Sequence, residues 1–389
     1  MKIFHLSDLH IGKQLNGYSL RENQEAVLNQ IVDYGLVHHP DAVLICGDIY
    51  DKTAPSGEAY TMFGNFLEAL SGIKPQVSVL IIAGNHDSPE RLSYAGAFLE
   101  RHHIHLSVFP PKSPEEYLKK VVLQDENGPV NFYFLPFLKP GYVRQVFPEN
   151  QPAGYESAVK AVLERETIDT GERNVLLSHQ FYTAGNKDPE TCESEQVVIM
   201  AGGLDRIEAD VLSAFDYVAL GHLHGSQKVG RASVRYCGTP YKYSVSEENH
   251  KKSITMVNLG KKGEEPELEF LPLHGIQDVR RERGSLSEIL KRATEENRHD
   301  FVSVTLSDEE DPYRVRERLE EVFDHLLELR VDNERTRKKR MEEGEMVPVL
   351  RPLEAFRQFY KTVRGGEMIK EEEKAMERIV QEAKEEEGL

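Results

Sequence analysis

The chain has 389 residues, 39% hydrophobic and 29% charged, with a formal net charge of −18. That length suggests two or three domains and ample core, and no apolar run approaches the roughly 20 residues that span a bilayer. The acid balance argues against a surface that coats nucleic acid, but it does not exclude DNA, because bound divalent cations can outweigh the local field.

The start, Met1 to Asp8, runs straight into a strand pattern and lacks a signal-peptide layout. Residues 2–7 read as a strand ending in Ser7-Asp8-Leu9-His10. Ser19 and Glu22 match a capping box, and Val27, Leu28, Ile31 and Val32 follow at helical spacing until Pro40. The run 42–46 then reads as a buried strand that breaks off at Gly47-Asp48. Strand–helix–strand is an α/β layout, which puts loops and ligands at the carboxyl ends of strands. A helix over 57–70 and a strand over 77–83 come next, the strand ending in Gly84-Asn85-His86-Asp87. Ser88 and Pro89 open another helix. Segment 102–135 reads as strands and turns, and 139–155 is too punctuated by Pro and Gly to assign.

Strand 174–178 ends in Ser178-His179, and strand 216–220 in Gly221-His222-Leu223-His224. Segments 232–237 and 253–259 read as later strands. Past Gly260-Lys261-Lys262-Gly263 the texture changes. Strands over 267–273 and 301–306 and helices over 285–296 and 312–330 suggest a small α+β domain. The domain boundaries expected are therefore 1–265, 266–332, a charged linker 333–348, and a tail 349–389 of two helices broken at Gly365-Gly366. Cys46, Cys192 and Cys237 are far apart and odd in number, so a disulfide framework is not expected and a reducing cytoplasm is.

Five strand ends carry metal-type ligands: Asp8 and His10; Asp48; Asn85 and His86; His179; His222 and His224. Burying a carboxylate at a strand end is costly unless it is paired or binds metal. Imidazole with carboxylate and amide oxygen, and no thiolate, suits Mn²⁺, Fe²⁺ or Zn²⁺ better than Ca²⁺. The set exceeds the needs of one ion, whereas two ions sharing a carboxylate use it all, an arrangement suited to phosphoester hydrolysis. His5, His38, His39 and the group His102, His103, His105 read instead as turn or core residues.

Asp8-x-His10, Gly47-Asp48-x-x-Asp51, Gly84-Asn85-His86-Asp87, Ser178-His179 and Gly221-His222-x-His224 resemble, in order, the motifs of the calcineurin-like metallophosphoesterases. The resemblance implies an α/β fold: a two-sheet β-sandwich flanked by helices, then a small α+β capping domain and a C-terminal helical tail. Three stretches, 4–12, 216–224 and 236–240, are more closely similar to the branch of bacterial nuclease subunits within that superfamily.

In that branch Asp8, His10 and His224 would hold one ion and Asn85, His179 and His222 a second, with Asp48 shared, most often as Mn²⁺. His86 would act beside the scissile phosphate as general acid or charge stabiliser, and Asp87 would orient its imidazole. Asp51 stands where other branches carry histidine, and it reads either as a residue behind the ligands or as a turn residue.

The resemblance further implies a cytoplasmic, nucleoid-associated DNA exonuclease and endonuclease in recombination and repair. It would form a homodimer within a heterotetramer and bind an SMC-like ATPase through 349–389. Tyr60, Phe66, Leu92 and Phe98 supply either the dimer bundle or ordinary core, and Arg280, Arg281 and Arg283 either contact DNA phosphates or form a solvated face. The rivals are a stand-alone phosphoesterase acting on a small phosphoester or nucleotide, a phosphoprotein phosphatase, and a scaffold that lost its metals. Asp51-Lys52-Thr53 and Asn85-His86-Asp87 depart from the phosphatase pattern, and the complete ligand set argues against the scaffold.

Overall fold

The computed structural model describes residues 1–185, 188–193, 195, 206–309 and 313–336, together with residues 356, 357, 360, 368, 372–374 and 376. The chain divides into two compact units. One comprises Met1–Glu282, Leu290–Val304 and Arg316–Leu329, the other Arg283–Ile289, Thr305–Val315 and Arg330–Leu389.

The first unit opens with strand β1 (Lys2–Leu6), helix α1 (Arg21–His38), β2 (Ala42–Cys46), α2 (Gly57–Gly72), β3 (Ser78–Ile82) and β4 (Ile104–Ser107). These four strands run parallel, with the helices as crossovers. A hairpin of β5 (Lys119–Asp125) and β6 (Gly128–Leu135) starts a second sheet. Helix α3 (Tyr155–Arg165), β7 (Arg173–His179), β8 (Tyr217–Gly221), β9 (Gln227–Val229) and β10 (Arg231–Tyr236) extend it, in the order β9-β10-β8-β7-β6-β5. The chain then returns through β11 (Ser253–Asn258) and β12 (Glu267–Pro272), which complete the first sheet as β12-β11-β1-β2-β3-β4.

Alternation along each strand explains the layers. Ile3, Ala42, Leu44, Leu80 and Ile82 face inward and pack on Phe132, Phe134, Val175, Leu177 and Ala219 of the second sheet. Their neighbours Phe4, Val43, Ile45, Val79 and Ile81 face outward beneath Val27 and Ile31 of α1 and Phe63 and Leu67 of α2. On the other side Leu135, Leu176, Val218 and Leu220 lie beneath Val159 and Val162 of α3. Both faces of the central strands are covered, so these strands read as unbroken apolar runs rather than alternating ones. The result is the two-sheet sandwich flanked by helices that the resemblance implies.

Some elements differ from the expectation. Helix α1 begins at Arg21 with Leu20 as its N-cap, while Ser19 sits in a short strand pair and accepts the Arg21 amide at 3.3 Å. The segment after Ser88 forms two short turns, Pro89–Leu92 and Gly96–Glu100. Helix α3 begins where the sequence was too punctuated to read. Strand β12, expected in the small domain, pairs along its whole length with β11. A further sheet has the order β13 (Val279–Gly284), β14 (Phe301–Leu306) and β15 (His325–Val331). Its last strand occupies the second half of the helix expected over 312–330. Among the described residues there, only Val315–Glu320 is helical, since partnering a sheet overrides a weak helical pattern.

In the second unit, Asn333 is buried and its side-chain amide donates to the Asp308 carbonyl at 3.1 Å, while Asp308 itself accepts the Leu286 amide at 2.8 Å. Linker 333–348 beyond residue 336 and tail 349–389 lie outside the described residues, apart from the scattered positions named above. Among the described residues, no helix is long and apolar enough to cross a membrane.

Candidate metal centre

The strands β1, β2 and β3 of one sheet and β7 and β8 of the other carry the ligand-type blocks at their carboxyl ends, and the inter-sheet core brings those ends together. Asp8, His10 and Asp48 are buried and offer ligand atoms within 4.8 Å of one another. Asp48 Oδ2 lies 3.8 Å from His10 Nε2 and 3.3 Å from His179 Nε2. Asn85 Oδ1 lies 3.0 Å from His179 Nε2 and 3.1 Å from His222 Nδ1. Asp8 is held by the His222 backbone amide, which donates to both of its oxygens at 3.0 and 3.1 Å.

The backbone is strained where these side chains leave it. Asp8, His10, Asp48 and His222 have φ of 52°, 41°, 50° and 107°, a region L-residues seldom occupy. Such strain persists only where the surroundings over-determine it, and it concentrates at functional sites. Two glycines allow the loops to close. A Cβ on Gly84 would lie 2.2 Å from Asp48 Oδ1, and one on Gly221 would lie 1.9 Å from the Cys46 carbonyl oxygen.

The donor set can be tested for its fit to a cation. His179 Nδ1 sits 2.7 Å from the Cys46 carbonyl, which can only accept, so that nitrogen carries the proton. A neutral His179 then turns the lone pair of Nε2 toward Asn85 Oδ1 and Asp48 Oδ2, acceptor against acceptor. A proton is one remedy: burial opposes charge on His179, yet Asp48 beside it holds its pKa up at about 9. A divalent cation is the other. His10 makes the same demand, since both its ring nitrogens are buried without a hydrogen-bond partner, and burial holds its pKa well below the usual value. Burial lowers His222 likewise, to about 3. Burial opposes ionisation of Asp48, but His179 and His10 hold it well below the usual carboxylate range. His10 and His222 are thus held neutral near an ionised Asp48, and a cation that displaced the His179 proton would complete the donor set a transition-metal ion requires.

His224 Nδ1 bonds Glu247 Oε1 at 3.0 Å. Glu247 is completely buried and also takes the Lys252 ammonium at 2.6 Å. Gln24 of α1 donates to the His10 carbonyl at 2.8 Å and steadies that loop. Neither Glu247, Lys252 nor Gln24 was visible as a site residue in the sequence, because each supports an expected ligand distant along the chain and belongs to no ligand-type block. Backing of this kind fixes the tautomer and orientation of a ligand.

His86 lies at the edge of the cluster, half-buried, with its ring 5.0 Å from that of His10. Its backbone amide donates to Asp48 Oδ1 at 2.8 Å, and its Nδ1 lies 3.1 Å from the Asp51 carbonyl. Asp87 was expected to orient this imidazole, and its hydrogen bonds run to the backbone. Its carboxylate accepts the backbone amides of Gly84, Ile49 and Tyr50 at 2.9, 3.2 and 3.1 Å, clasping two ligand loops together. Asp51 pairs with Lys13 at 2.8 Å and also offers a ligand-type oxygen within 4.8 Å of His10 and His86.

His5 and the three arginines take structural partners. His5 bonds the Tyr217 hydroxyl at 2.9 Å. Arg280 pairs with Asp300, Arg281 with Glu248 and Arg283 with Asp332. Phe66 and Leu92 join the core, while Tyr60 and Phe98 are exposed.

A family model described as calcineurin-like phosphoesterase matches residues 1–226. A second, described as the type 5 capsule protein repressor C-terminal domain, matches residues 276–364. The chain is 28% identical over 332 residues to the SbcD component of the nuclease SbcCD of Staphylococcus epidermidis, covering 85% of each chain. It is 27% identical over 302 residues to the protein of the same name in Staphylococcus saprophyticus, covering 76% of this chain and 75% of that one. A solved dimetal phosphatase from Danio rerio aligns at 12% identity with a TM-score of 0.38, over 69% of this chain and 95% of that chain.

Proposed function

The chain belongs to the calcineurin-like phosphoesterase family, and from that membership we propose that it is a Mn²⁺-dependent DNA nuclease subunit that hydrolyses phosphodiesters with two metal ions. The fold implies divalent metal ions. The similarity to SbcD components of SbcCD nucleases points the phosphoesterase chemistry toward nucleic acid. The observation that supports the two-ion reading is that Asp48 Oδ2 lies near both His10 Nε2, at 3.8 Å, and His179 Nε2, at 3.3 Å, one from each proposed ligand group.

Asp8, His10 and His224 would hold one ion and Asn85, His179 and His222 the other, with Asp48 common to both. Bound there, the pair would supply Lewis acidity that activates water and neutralises charge developing on the phosphate. The remaining roles fall to the chain. Cys46 and Glu247 hold His179 and His224 by Nδ1 and so direct Nε2 inward. His86 holds Nδ1–H at the Asp51 carbonyl and turns Nε2 toward the leaving oxygen, which it stabilises or protonates when both ring nitrogens carry a proton. Asp87 keeps the loops of Asp48 and Asn85 in register.

The test is cleavage of end-labelled duplex and hairpin DNA in Mn²⁺ against Mg²⁺, beside a small phosphodiester and a phosphomonoester. DNA and diester cleavage are expected. Strong preference for the monoester would favour a stand-alone phosphoesterase on a small substrate and sink the nuclease reading. The partner we expect is an SMC-like ATPase of the SbcC type, bound through 349–389, with two copies of each chain in the complex. Deleting 349–389 is expected to abolish co-purification with that ATPase, and undiminished co-purification would refute the assignment.

A further inference from the structure

Beside the metal centre lies a cavity of about 650 Å³, within the size range of clefts that hold small molecules. Asn85 forms part of its wall, so the cavity begins at one of the proposed ligands. Phe109, Phe137 and Tyr142 contribute aromatic rings to the lining, and Lys112, Lys139 and Arg144 contribute charge. The three cations are exposed and pair with no carboxylate among the described residues. Lys112 instead lies 3.2 Å from the centroid of the Phe109 ring.

Of the acids on the wall, Asp87 is committed to backbone amides, and Glu90 alone stands against three cations. That balance is unusual in a chain of net charge −18 whose arginines at 280, 281 and 283 are all matched by carboxylates. The aromatic wall is also anchored. The Phe137 amide donates to the Ala83 carbonyl at 2.9 Å, its ring meets that of His179 edge-on at 6.3 Å, and Leu138 and Val143 on either side of the loop are buried.

Rings for stacking, unpaired cations for phosphates and direct continuity with a phosphoesterase centre are the parts of a single-strand site. We propose that this cavity receives an unstacked base of a nucleic-acid strand, with Lys112, Lys139 and Arg144 on the neighbouring phosphates and the scissile phosphate at the metal centre. The proposal rests on the phosphodiesterase reading and sharpens it. A paired base reaches such a pocket only after unstacking, which favours single strands and frayed ends.

Full-length Tyr142→Ala and Lys139→Ala proteins test this, because both positions are exposed and neither side chain supports the core. The probe is a single-stranded oligonucleotide with one 2-aminopurine, whose fluorescence falls when the base stacks on a ring. Wild type is expected to quench it, and Tyr142→Ala to lose the quenching and bind about tenfold more weakly. Lys139→Ala is expected to lower the slope of log affinity against log salt by about 0.7. Binding without quenching, with equal affinities for wild type and Tyr142→Ala, would overturn the subsite even if DNA is cleaved. Quenching by wild type with no Mn²⁺-dependent hydrolysis of DNA or small diester would support the subsite and overturn the nuclease reading instead.

Discussion

The His86→Ala substitution separates the imidazole from everything else this residue does. The His86 backbone amide donates to Asp48 Oδ1 at 2.8 Å, and alanine keeps that bond. The proposed bridging carboxylate therefore stays in place, and no ligand assigned to either ion is lost. What disappears is a half-buried ring with a hydrogen bond to the Asp51 carbonyl at 3.1 Å. Stability should thus change by no more than about 1 kcal/mol.

Catalysis should change far more. A positioned acid at a leaving oxygen contributes about 10²–10⁴-fold, or about 2.7–5.4 kcal/mol of transition-state stabilisation. The expected result is kcat for DNA or a small diester lowered by that factor, with unchanged Mn²⁺ content by elemental analysis. Cleavage within threefold of wild type would refute the catalytic role. Loss of metal would show that His86 is a ligand, as its proximity to Asp51 and His10 allows.

Other expectations follow from the same geometry. Asp48→Asn should weaken binding of both ions by at least about tenfold, whereas Asp51→Asn should leave Mn²⁺ stoichiometry intact; calorimetric titration distinguishes them, and equal losses would unseat Asp48 as the shared ligand. Glu247→Gln leaves the buried Lys252 ammonium without its counter-charge and should cost about 3–5 kcal/mol in denaturant unfolding. Adding Lys252→Met should recover most of that, and a loss under about 1 kcal/mol would show that the pair is not the support described. Metal uptake should also release protons. Burial opposes charge on His179 but Asp48 holds it up at about 9, and burial pushes Asp8 up to about 6 against the pull of His179. A cation must displace the proton on His179, so affinity should rise with pH toward 9 and fall further below 6 as Asp8 protonates. Calorimetry in buffers of different ionisation enthalpy reads this release, and buffer-independent heats at pH 7.5 would contradict it.

Much of the site was legible because its signals are local. An apolar run that stops at Gly-Asp, Asn-His or His-x-His announces both a buried strand and a polar group at its end. The strands β1, β2, β3, β7 and β8 all end within a residue or two of the expected place. The hydrogen bonds of Asp87 were not legible for the opposite reason. Its neighbour in sequence is His86, but its partners in space include the amides of Ile49 and Tyr50, 38 and 37 residues away. Likewise the second half of segment 312–330 has leucines that fit either period, and only its sheet partners made it a strand.

The sequence by itself determined the ligand types, their order and their placement at strand ends, since these depend on hydrophobic period and on the chemistry of each side chain. Only the tertiary structure decided that Asp48 approaches both His10 and His179, that Glu247 and Lys252 stand behind His224, and that rings and cations without a carboxylate partner among the described residues gather beside Asn85. Those facts arise where two sheets pack face to face and bring distant loops within hydrogen-bonding range. Hydrogen bonds and Coulomb forces act over a few ångströms of space, regardless of separation along the chain.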